Sequence, residues 1–70
     1  MVNYYSQFNR FKEKNGFKGK ILMDTFQAAF MEFYGFSKKT AEKWMANFED
    51  VGYIKIERDY DSSIWFVEVL

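Results

Sequence analysis

Lysine stands at positions 38, 39 and 43, with Ser37, Thr40 and Glu42 set among them. Wound into a helix, Lys39 and Lys43 fall four apart on one face, and Lys38, Thr40 and Glu42 flank that face near its start. Ammonium groups donate to phosphate oxygens or base acceptors, a hydroxyl donates or accepts, and a carboxylate accepts. A second charged group is Glu57, Arg58, Asp59 and Asp61 around Tyr60, acidic in balance. A third is the basic run Arg10, Lys12, Lys14, Lys18 and Lys20.

All three groups are suited to binding rather than turnover. The chain has neither His nor Cys. That removes Ser-His-Asp and Cys-His catalysis, thiolate metal sites and disulfides. Ten carboxylates remain, but no pair sits in an evident cleft, and 70 residues leave little room for a pocket. The expectation is a protein that is not an enzyme, with no catalytic residue, no cofactor and no metal.

The elements that must position these groups follow from periodicity. Tyr4, Tyr5, Phe8 and Phe11 form one apolar stripe and predict a helix over residues 3–14, ended by Asn15-Gly16. Lys20-Ile21-Leu22-Met23 is too short for a helix and reads as a small strand. Asp24 is the expected N-cap of a second helix over 25–34, whose stripe is Phe26, Ala29, Phe30 and Phe33 and whose stop is Gly35. Ser37 caps a third helix over 38–50, with Ala41, Trp44, Met45 and Phe48 facing inward and Gly52 closing it. Residues 53–57 alternate as a strand with one wet face, residues 59–63 have turn chemistry, and residues 64–69 form the second strand of a hairpin. That last strand is apolar on both faces, which suits a central strand with the 20–23 segment on its far edge.

The totals constrain the rest. Seventy residues make one domain, residues 1–70. So short a chain needs a dense core, and nine Phe, five Tyr and two Trp supply it. The net charge is zero, yet five basic residues against Glu13 give residues 1–23 a charge of +4, and residues 49–70 carry −4. No basic leader with an apolar run opens the chain at Met1-Val2-Asn3-Tyr4-Tyr5, and no stretch is long enough to cross a bilayer. A cytoplasmic protein without membrane contact is expected.

Helix, short strand, helix, tight turn, helix, hairpin: this order resembles the winged helix-turn-helix family over nearly the whole chain. The most specific part is Phe30 through Phe48, where Gly35 holds the turn, Phe36 follows it and Ser37 caps the next helix. The run from Asn47 to Ile54 is similar to the passage from helix end into wing in small bacterial regulators. Where the family often carries a small residue, four positions before the turn glycine, this chain has Met31. Where family wings carry basic tips, this one has Asp59 and Asp61, with Arg58 its only cation.

The resemblance implies an α+β fold of three helices with a small three-stranded antiparallel sheet whose β-hairpin is the wing. It implies double-stranded DNA as partner, with the third helix in the major groove. Ser37, Lys38, Lys39, Thr40, Glu42 and Lys43 are then the contact residues, with Arg58 and Tyr60 added from the wing. Arg58 reads either as a wing contact or as a partner of Asp59 or Asp61. The basic run reads as a backbone contact or as a solvated face. A surplus of aromatics on the first helix could form a homodimer contact, presenting two recognition helices about one DNA turn apart. Small size without a ligand domain resembles phage and plasmid repressors or replication and partition regulators that act by occlusion. The competing reading is a protein-binding winged helix, such as a phage-encoded inhibitor of a host enzyme, that uses the acidic wing.

Overall fold

Residues 3–70 are described by the structure, a computed structural model. Met1 and Val2, which open the segment read for a leader, lie outside the described residues. A 3-10 turn, Tyr5–Gln7, leads into α1, Phe8–Asn15. The first helix therefore starts tighter than its apolar stripe predicts. Asn3 Oδ1 accepts from the Tyr5 and Ser6 amides at 3.1 and 3.4 Å, and Ser6 Oγ donates back to the Asn3 carbonyl at 2.8 Å. Local bonds of this kind compete with a regular first α-turn.

Strand β1, Gly19–Leu22, passes into α2, Met23–Tyr34, with no loop between them. This corrects two expectations. Met23 opens the helix instead of ending the strand, and Asp24 is not the N-cap. Leu22 holds that position with φ −55° and ψ 136° and no side-chain cap bond. Its pairing with Phe66 keeps it extended, and an extended residue is what an N-cap position requires. Asp24 lies in the first turn, where a carboxylate still opposes the positive end of the helix dipole.

Helix α3 spans Lys38–Asp50 behind the Ser37 cap, as its stripe predicts. Its closure is a Schellman motif. Val51 is the C-cap and Gly52 takes φ 85°. The Gly52 amide donates to the Glu49 carbonyl and the Tyr53 amide to that of Phe48, while the Tyr53 and Phe48 rings sit 5.8 Å apart.

The hairpin is β2, Ile54–Asp59, and β3, Ile64–Val69. The strand expected over 53–57 therefore starts one residue later and runs two further. The sheet is antiparallel in the order β1-β3-β2, so the strand that is apolar on both faces is the central one. Ile21, Val67 and Ile56 lie level on the inner face; Lys20, Glu68 and Lys55 lie level on the outer one.

Three helices and this sheet make an α+β fold in a winged-helix-like arrangement. Its core is Phe8, Phe11, Phe26, Phe30, Ala41, Met45, Phe48, Ile54 and Val67, all buried. Phe11 is the hub, with its ring 5.4–5.5 Å from those of Phe17, Phe26, Phe30 and Phe33. Ala29, Phe33 and Trp44 of the expected stripes are half-buried at its margin. Met31 also packs against it. Among the described residues, no helix is long and apolar enough to cross a membrane.

Candidate nucleic-acid interface

The N-terminus of α3 is ordered by one pair of hydroxyls. Ser37 Oγ accepts from the Thr40 amide at 3.3 Å and donates to Thr40 Oγ1 at 3.0 Å. Thr40, half-buried, is thereby held at the helix start with its own proton free to donate. Ala41, Met45 and Phe48 bury the inner face of α3, so Lys38, Lys39, Glu42, Lys43 and Ala46 point outward and are exposed. Among the described residues none of the three lysines comes within ion-pair distance of a carboxylate. The ion pairs formed are on the sheet, where Lys20 and Lys55 both reach Glu57, at 3.1 and 3.3 Å. The lysine face of α3 thus projects three cations beside the free amides of a helix start, an arrangement suited to anions.

The predicted wing residues do not join that face through any bond. Arg58 pairs with neither Asp59 nor Asp61, contrary to the simpler of its two expected roles. Alternation along β2 sends Arg58 and Asp59 to opposite faces of the sheet. Arg58 Nη2 donates to Ser63 Oγ at 3.2 Å and its guanidinium lies 5.9 Å over the Trp65 ring, its partner in register. Asp59 Oδ1 accepts from the Asp61 amide at 3.0 Å, which shapes the turn. Tyr60 at the tip is 88% exposed.

Part of the basic run is spoken for within the molecule. The Lys12 and Lys14 ammonium groups lie over the Phe8 and Phe33 rings at 5.3 and 5.8 Å. Lys20 is tied to Glu57. Its hydrogen bond, with that of Lys55 and their charges, holds the Glu57 carboxyl below the usual carboxylate range, and the same bond to Glu57 raises Lys20. Arg10 and Lys18 are exposed. The aromatics of the first helical segment turn inward: Phe8 and Phe11 are buried, and Tyr4 and Tyr5 pack edge-on against Trp44. The large apolar side chains that do face outward include Leu22, Tyr60, Ile64 and Trp65, all on or beside the sheet.

Two contacts were not legible as site features. Trp65 reads as one more apolar strand residue, yet it lies beyond the core and is 47% exposed beside Arg58. Nothing in the sequence singles out a role for Glu49, yet its carboxylate accepts from the Ile56 amide at 2.8 Å and occupies a free-edge amide of β2. Compared with known proteins, the chain matches no family model, no curated protein and no solved structure.

Proposed function

We propose that this chain is a winged helix-turn-helix protein that binds double-stranded DNA in the cytoplasm through α3. It would act by occlusion, as a small repressor or a replication or partition regulator of phage or plasmid type. The observation that carries this reading is the outward face of Lys38, Lys39 and Lys43, without an ion pair among the described residues, beside the Ser37–Thr40 cap. Lysine and the helix amides hold phosphates, Thr40 reaches a phosphate or a base, and Glu42 accepts from cytosine. With no Arg on α3, bidentate reading of guanine falls to lysine, a weaker reader.

The test is anisotropy of a fluorescent duplex of about 25 base pairs, titrated at low and then physiological salt, because phosphate-driven binding weakens steeply with salt. Binding that fades with salt and is removed by Lys39→Glu with Lys43→Glu supports the reading; no binding at low salt ends it.

A second reading is favoured by one observation. Among the described residues Asp59 and Asp61 of the wing have no ion-pair partner, and they flank a Tyr60 that is almost wholly exposed, which is ill suited to phosphate and well suited to a basic protein surface. If the wing is the working contact, charge reversal there abolishes function and charge reversal on α3 is tolerated.

A further inference from the structure

Strand β2 lies at an edge of the sheet. The Tyr53 carbonyl accepts from the Leu70 amide and the Asp59 carbonyl from the Ser63 amide, so the odd-numbered residues of this stretch turn their main-chain groups toward β3. Those of Ile54, Ile56 and Arg58 therefore point away from the sheet. An open edge of this kind is a template for another strand. Its three outward positions differ. Ile54 is only 1% exposed and is closed off where α3 turns into β2. The Ile56 amide is held by Glu49 at 2.8 Å. Arg58 is exposed. From Lys55 to Arg58 the edge borders an open groove of about 570 Å³, which Tyr60 and Trp65 also line and to which α3 contributes no residue. Glu49 is exposed and has no ion pair among the described residues, so no cation holds its carboxylate in place. The charge-assisted bond to the Ile56 amide does.

We propose that the open edge of β2 is a pairing surface for a second copy of this chain, and that Glu49 keeps it closed. The occupant follows from the hydrogen-bonding pattern, since a strand edge is completed by another strand edge. Of the two edge strands β2 is the longer, six residues against four in β1. Because Ile54 is closed off, antiparallel pairing of two β2 strands centres on Glu57 and sets Ile56 against Arg58 of the second copy. The Ile56 amide then donates to the Arg58 carbonyl of the second copy, and that is the donor Glu49 now occupies. Lys55 falls opposite Asp59 of the second copy, a favourable cross-strand pair for a carboxylate with no ion-pair partner among the described residues. Glu57 meets its own counterpart, but each carboxylate is already bound by Lys20 and Lys55 of its own chain, at 3.1 and 3.3 Å. The contact is isologous and makes one sheet continuous across both copies. It uses none of the α3 lysines and is independent of duplex binding.

Sedimentation velocity of the full chain without nucleic acid, over a concentration series, tests it. Glu49→Ala frees the Ile56 amide and is expected to shift toward the mass of a dimer at concentrations where the wild type does not. Glu49→Gln keeps an acceptor for that amide and should sediment as the wild type. Hydrogen exchange at the Ile56 amide reads the same event directly: protection independent of concentration in the wild type, and rising with concentration in Glu49→Ala. Two charge reversals made on top of Glu49→Ala locate the contact and its register. Lys55→Glu and Asp59→Lys each set like charges across the seam and should stay monomeric. Their mixture should associate again, because each strand then meets one of opposite sign, and this recovery also shows that both variants are folded. Three results overturn the proposal: a Glu49→Ala chain that keeps the wild-type mass throughout the series, a wild type that associates as strongly as Glu49→Ala, or association of Glu49→Ala that neither charge reversal weakens.

Discussion

The Tyr34 hydroxyl donates to the Tyr4 carbonyl at 3.0 Å and ties the end of α2 to the turn before α1 across 30 residues of chain. The Tyr34 ring stacks on Phe36 at 5.1 Å and meets Phe30 edge-on at 4.9 Å, so the hydroxyl is delivered from within the aromatic cluster. Burial pushes its ionisation up to about 12. The folded state therefore holds this proton more tightly than the unfolded chain, whose tyrosine titrates at its ordinary value near 10. The contribution is intact below the unfolded value and is lost as pH rises from about 10 through 12. Tyr34→Phe is expected to cost about 1 kcal/mol at neutral pH through the lost hydrogen bond. It should also flatten the alkaline fall in stability. Urea unfolding of both chains across that pH range measures the two effects; an alkaline limb that is identical in the variant contradicts the assignment.

Phe11 is fully buried and its ring meets those of five other phenylalanines, so truncating it leaves a cavity in the middle of the core. Phe→Ala in a core costs about 3–5 kcal/mol. A chain of this length has a total stability of only about 4–10 kcal/mol. Phe11→Ala is therefore expected to lose its cooperative unfolding transition at growth temperature, with its near-ultraviolet aromatic signal collapsed. Phe11→Leu, which keeps most of the volume, should remain folded with a lower denaturation midpoint.

How far the chain could be read in advance depends on which forces act locally. Helix α3 was legible from Ser37 to Asp50 because a cap, a stripe at helical spacing and a terminal glycine all point the same way. The central place of β3 was legible because apolar residues on both faces leave it nowhere else to go. The start of α2 was not, since Leu22 is held extended by its partner Phe66, a pairing that lies 44 positions away in sequence. Asp24 looked like the cap because cap preference is local and sheet pairing is not. The site divides the same way. That the α3 lysines face outward follows from the stripe on its other side. The Arg58–Trp65 contact and the Glu49 bond to the Ile56 amide depend on register and on the approach of α3 to a strand edge, which spacing along the chain does not encode.

Ser37 serves both the fold and the proposed interface, and the two roles can be separated. Ser37→Ala removes the acceptor for the Thr40 amide and is expected to cost about 1 kcal/mol of stability. Ser37→Asp keeps an acceptor and should recover most of that loss. It also places a negative charge at the helix start, where a phosphate would sit, so duplex affinity should fall although the fold is restored. Thermal unfolding and anisotropy on the same samples decide the matter. Affinity that follows stability across all three chains would mean that Ser37 acts on the duplex only through the fold.

The lysines of α3 make a prediction in the salt dependence itself. A cation that neutralises one phosphate releases counterions and adds about 0.9 to the slope of log affinity against log salt. Lys39 and Lys43 are exposed, unpaired with any carboxylate among the described residues, and set on the face of α3 that the core does not use. If both hold phosphates, Lys39→Ala with Lys43→Ala should lower the slope by about two. Stability should change little, because neither side chain carries a contact in the core. Lys55 is the control: it is exposed too, but lies on the outer sheet face and is paired with Glu57. Lys55→Ala should leave the slope as it was. A slope that falls equally in both variants would mean that the duplex responds to overall charge and not to α3, and the helix would lose its place as the reading element.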